Sequence, residues 1–201
     1  MKRINNEAVS PVVGVMLMLV VTIIIAAVVS AFAGGLNSDQ LKTPQASLGV
    51  TSVIKGIEDT NTANWVSDYP VGFTANNGLL FEHKGGDSFA LKDIYVQLQS
   101  EDTKTTIGLG NSINTSALTS LSSDVNAYLM EVGDSDGFIT PGDKFMLYAD
   151  NNRIDYYGSQ ISWKPMGAAG GFASYLNTKC EYKIIDKASS KVIQTGTFVL
   201  T

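Results

Sequence analysis

From Ala8 to Ser38 the chain carries no charged residue, and the exceptions to apolar side chains within Val9–Leu36 are small: Ser10, Pro11, Gly14, Thr22, Ser30, Gly34 and Gly35. The apolarity runs all the way round any helix drawn through this block, which removes the polar face that a surface helix of a globular protein needs. A helix over roughly 26 of these residues is about 39 Å long, more than the ~30 Å hydrocarbon core of a bilayer. Backbone groups in lipid have no water to bond, so a lone apolar stretch there must be helical. Pro11 suits a first helical turn, where a missing N–H costs little, and Gly34-Gly35 suits a stop. Lys2 and Arg3 precede the block with no basic residue soon after it, which keeps the N-terminus cytoplasmic.

Beyond residue 40 the pattern changes to period-2 alternation, with turn residues at short intervals such as Asn77-Gly78, Gly85-Gly86 and Asp136-Gly137. Ile94, Val96 and Leu98 fall on one face of a strand, with Tyr95, Gln97 and Gln99 on the other. Cys180–Ile184 and Ile193–Val199 alternate likewise, joined by the hairpin loop Asp186–Lys191. Further strands are predicted at Ala46–Lys55, Leu79–His83 and Lys144–Asp150. The fold class is therefore α+β: a long N-terminal hydrophobic helix followed by an antiparallel β-sandwich head, Ig-like in type. The expected organisation is a leader over 1–8, the apolar helix over 9–36, a short polar hinge over 37–45 containing Pro44, and the head over 46–201.

Composition narrows the functions available. The 201 residues carry 14 Lys and Arg against 19 Asp and Glu, a net charge of −5. That balance argues against binding a phosphate backbone, so no nucleic-acid partner is expected. One Cys and one His exclude a Cys/His zinc cluster and an internal disulfide framework. No constellation of acid, base and nucleophile stands out, and the expectation is no enzyme and no obligatory cofactor.

Three local features hold candidate chemistry. Asp134 and Asp136, followed by Gly137 and later by Asp143, place hard oxygen ligands at alternate positions as at the start of a calcium loop. The bidentate Glu such a loop needs is replaced by Phe145, and the competing reading is a solvated double turn. Asn114-Thr115-Ser116 is the only N-x-[ST] sequon, in a Ser/Thr-rich stretch, which makes Asn114 a glycosylation candidate. Trp65, Tyr69, Trp163 and Tyr175 fall in loop-like regions and suit either an adhesive surface or the packed rim of the sandwich.

Four readings of the apolar block compete: a buried core helix, a secretory signal cut after Ala31-Phe32-Ala33, a single-span anchor, and a processed assembly helix. The last rests on its start. Lys2–Ala8 is a short charged leader, and Val9-Ser10-Pro11-Val12-Val13-Gly14 follows directly. This arrangement resembles the class III signal and N-terminal helix of archaeal type IV pilins, with their V-S-P-V-[IV]-G start. Phe81-Glu82-His83-Lys84-Gly85-Gly86-Asp87 is similar to that family's H-x-G-G-D strand and turn. Thr140–Asp143 is similar to its P-G-D turn, and Tyr182–Ile193 to its closing hairpin. The resemblance touches both ends and the middle, not residues 100–130 or 150–178. Bacterial pilins have Glu at the fifth mature position, where this chain has Val13.

The resemblance implies cleavage between Ala8 and Val9 by a prepilin peptidase. A helix then anchors in membrane lipid and, with pilus assembly machinery, polymerises with copies of itself into a cell-surface filament used in adhesion. Pro11, Gly14, Ala26, Ala27 and Ala31 would belong to its core, the small ones allowing close helix approach. The alternative is a monomeric, membrane-anchored extracellular binding protein whose uncleaved helix is a tether.

Overall fold

The computed structural model describes residues 9–35, 42–55, 77–100, 103–113, 125–155, 157–166 and 170–201. The chain divides into two units, Met1–Leu41 and Lys42–Thr201.

In the first unit a single helix, α1, spans Val9–Gly35. It has no acidic residue in its first turn and no basic residue in its last, so side-chain charge adds nothing to its termini. Every side chain from Pro11 to Phe32 is exposed on all faces, including Met18 at 72% and Phe32 at 67%. Pro11–Phe32 is long and apolar enough to cross a bilayer.

Among its described residues the second unit has thirteen strands: β1 (Ala46–Val53), β2 (Gly78–Gly86), β3 (Phe89–Ala90), β4 (Ile94–Gln99), β5 (Lys104–Gly108), β6 (Leu129–Val132), β7 (Phe138–Ile139), β8 (Lys144–Tyr148), β9 (Asn151–Asp155), β10 (Gly158–Trp163), β11 (Phe172–Tyr175), β12 (Lys179–Asp186) and β13 (Val192–Val199). They form two four-stranded sheets, β1-β2-β8-β6 and β13-β12-β4-β5, with a three-stranded sheet β11-β10-β9 and the short pair β3-β7. All pairings are antiparallel.

The alternation read from the sequence is the alternation observed. Ile94, Val96 and Leu98 are buried while Tyr95 is exposed and Gln97 and Gln99 are half-buried. In β12, Cys180, Tyr182 and Ile184 point inward between exposed or half-buried neighbours, and Val96 and Leu98 pair with Ile184 and Tyr182 across the ladder. The two four-stranded sheets share one core. Phe81 of β2 stacks on Phe145 of β8 at 4.9 Å and meets the edge of Tyr182 of β12 at 5.4 Å, geometry that aromatic rings favour. Where β1 approaches β13, the carboxamide of Gln194 donates to the Leu48 carbonyl at 2.7 Å and accepts the Leu48 N–H at 2.5 Å.

Three expectations change. Trp163 and Tyr175 lie in strands, not loops; Trp163 is fully buried and packs on Phe172 at 5.7 Å. The strand expected to run to Asp150 ends at Tyr148, because Ala149 N–H bonds Asn77 and Asp150 N–H bonds Ser162 of β10. Residues 42–45, expected within a hinge, are bonded into the head: Thr43 is buried, and Asp87 N–H donates to the Gln45 carbonyl at 2.7 Å.

Candidate functional site

Two regions carry the sequence-predicted sites. The first is α1, where Pro11 occupies the first turn and Gly14, Ala26, Ala27 and Ala31 lie along the exposed surface. A side chain added at Gly14 would meet nothing within 4 Å, so its smallness serves no contact inside the chain. Thr22, the polar residue in mid-helix, donates its hydroxyl to the Leu19 carbonyl at 2.9 Å and so satisfies itself. With no titratable group between Val9 and Gly35, this surface can bind only by apolar packing. Val9 opens the helix; Ala8, its partner across the expected cleavage, lies outside the described residues.

The second region is the loop between β6 and β8. Asp134 and Asp136 come together here, not with Asp143 but with Glu131 of β6. Carboxylate oxygens of the three lie within 4.8 Å of one another. Asp143 is occupied elsewhere, its Oδ2 accepting the Thr140 N–H at 2.8 Å and the Thr140 hydroxyl at 2.7 Å. Those two bonds hold its carboxyl below the usual carboxylate value. Glu131 shifts the other way: burial raises it, and Asp134 and Asp136 add to the rise against the Gly137 N–H. Turn geometry accounts for much of the loop, since Asp136 Oδ1 accepts the Phe138 N–H at 2.7 Å and Glu131 Oε2 the Gly137 N–H at 2.9 Å. Three such carboxylates match a hard cation by charge and donor type. Sequence reading missed Glu131 because it precedes the loop on a strand.

It also passed over a serine. Gly133-Asp134-Ser135-Asp136-Gly137 has the G-x-S-x-G spacing of a nucleophile elbow. That motif needs a sharp strand-to-helix turn beside a histidine base. Ser135 sits on a loop between two strands. The chain's one histidine, His83, is buried with Nε2 bonded to the Asp87 carbonyl at 3.1 Å. Cys180 is buried beside Ser174, and burial raises its thiol above the usual value, away from the thiolate that nucleophilic chemistry requires. Asn114, Trp65 and Tyr69 lie outside the described residues.

Comparison with known families bears on the apolar block. Residues 7–48 match the family model for the N-terminal region of archaeal type IV pilins. The N-terminal segment of the chain is similar to that of archaeal type IV pilins. The match takes in all of α1 and the first residues of β1, and the head beyond Leu48 lies outside it. No curated protein matches the chain.

Proposed function

We propose that this pilin is the structural subunit of an extracellular filament, with α1 helices packed into its core and heads forming its outer surface. The observation that carries the reading is the uniform exposure of apolar side chains from Pro11 to Phe32. If such a helix buries on the order of 1,500 Å² of apolar surface, exposing it to water costs tens of kcal/mol. It therefore exchanges lipid only for other helices, which makes fibres durable and keeps single subunits in the membrane. Gly14, Ala26, Ala27 and Ala31 let neighbouring backbones approach.

In this scheme a prepilin peptidase removes residues 1–8 between Ala8 and Val9, and the membrane assembly machinery extracts the remainder. Removing Lys2, Arg3 and Glu7 leaves every side-chain charge at Asp39 or beyond, so the exposed heads carry all of it but Asp39 and meet surfaces in adhesion. The role is structural, not catalytic. Glycosylation at Asn114 and a calcium ion at the Asp134 loop belong to the same extracellular reading.

Mass spectrometry of sheared surface fibres tests it, with a mature chain starting at Val9 expected. Ala8→Trp should leave uncut, membrane-bound precursor and no fibres. A mature N-terminus at Met1 or Gly34 would sink the scheme, and protein that stays monomeric in the membrane under shear would make α1 a tether.

A further inference from the structure

We propose that the His83-Lys84-Gly85-Gly86-Asp87 turn is a clasp that locks the first residues of the head, Lys42–Gln45, onto it. His83, Gly86 and Asp87 each play a separate part in that lock. The Asp87 carboxylate accepts the Gln45 N–H at 3.1 Å and lies 3.5 Å from the Lys42 ammonium. The Asp87 N–H returns to the Gln45 carbonyl at 2.7 Å, so the two residues are joined by one main-chain and one side-chain bond.

Gly86 gives the room. A Cβ there would stand 2.1 Å from the Gln45 carbonyl oxygen and 2.9 Å from Ala46 Cα, both main-chain atoms that cannot swing aside. Its φ of +107° is a second reason that only glycine serves. His83 sets the turn from below: its ring is buried beside Phe89 at 5.7 Å, and Nε2–H donates to the Asp87 carbonyl at 3.1 Å. One ring thus fixes the peptide that carries the gripping carboxylate.

A second turn closes the other side. The hairpin after β12 presents Ser189, whose hydroxyl bonds the buried Thr43 hydroxyl at 2.8 Å and the Asp186 carboxylate at 2.5 Å. Turns from both four-stranded sheets therefore hold Lys42–Gln45, which makes the segment part of the head's rigid body. The chain's match to the pilin family also ends just past this segment. The clasp joins it to a motif outside the match. It concerns the head alone and stands or falls without polymerisation.

Hydrogen exchange on the full chain in membranes or detergent tests this directly, since opening of a local bond exposes its amide. The Gln45 and Asp87 amides should be protected in the wild type. Asp87→Ala should speed exchange at Gln45 at least tenfold and leave the amides of β4 and β12 unchanged. Asp143→Ala, which removes a comparable turn carboxylate, should leave Gln45 untouched. Lys42→Gln should change little, because an exposed ion pair contributes little. Exchange at Gln45 as fast as at an open loop in the wild type, or unaltered by Asp87→Ala, would overturn the clasp. Should Gly86→Ala fail to fold, Asp87→Ala still decides.

Discussion

The two units of this protein solve opposite problems. In α1 no described side chain from Pro11 to Phe32 is buried, so no packing covers that apolar surface among the described residues. In the head, Leu79, Phe81, Val96, Leu98, Phe145 and Trp163 are entirely enclosed, and their stabilisation is internal. A tolerance follows for each. The helix accepts exchanges among apolar residues and rejects charge, because its surroundings read only polarity and bulk. The head accepts charge at many outward positions and rejects changes of volume, because close-packed interiors relax only partly around a gap.

The largest expected effect comes from putting charge on the helix. Ile24→Lys places an ammonium in mid-span at a cost of about 2.5–3.5 kcal/mol for each subunit, multiplied along a fibre. Fibres in the sheared pellet should disappear, whereas Ile24→Leu should leave their yield intact. In the head, Phe81→Ala removes a ring that touches both four-stranded sheets and should cost about 3–5 kcal/mol. Urea unfolding of the detergent-solubilised chain, followed by fluorescence of buried Trp163, measures it. Normal fibres from Ile24→Lys, or an unmoved midpoint for Phe81→Ala, would dissolve the contrast between the units.

A smaller effect concerns charge inside the head. Asp150 is fully buried and its Oδ2 accepts bonds from the Tyr128 hydroxyl and, at 2.5 Å, from the Lys164 N–H. Burial raises its carboxyl above the usual value, against the pull of those donors. A raised folded value means that the ionised form opposes folding, a penalty present near neutrality and relieved as pH falls through that value. Asp150→Asn keeps an acceptor for both donors and should change stability by less than about 1 kcal/mol while removing this dependence. Asp150→Ala strands the donors and should cost about 2–3 kcal/mol. Asp87 and Asp143, held below their ordinary values, act in the reverse sense. Their contribution is present above the ordinary carboxylate value and lost as pH falls through the depressed ones. Midpoints measured across pH for Asp150→Asn, Asp87→Ala and Asp143→Ala separate the signs.

The sequence displayed α1 and the long strands because their patterns are extreme: a charge-free run, or strict alternation in β4 and β12. It hid β10 and β11, where Gly158-Ser159-Gln160 and Ala173-Ser174 are too small and polar to announce a buried strand. The pairing of Glu131 with Asp134 and Asp136 was invisible for another reason. It depends on how β6 ends and where the loop returns, not on spacing along the chain. Asp143 matched a ligand pattern in one dimension and proved to be a turn residue in three. The H-x-G-G-D turn was legible as a motif, but what it grips lies some forty residues earlier.

The glutamine that bridges β1 and β13 has an effect beyond the single head. An outer strand with free N–H and C=O groups invites strand addition from any chain beside it. Gln194 presents an amide that imitates one peptide unit and occupies both groups of Leu48, while the Ser52 hydroxyl bonds the Thr201 main chain near the same seam. The sheet is thus closed to its own kind at the strand where the head begins.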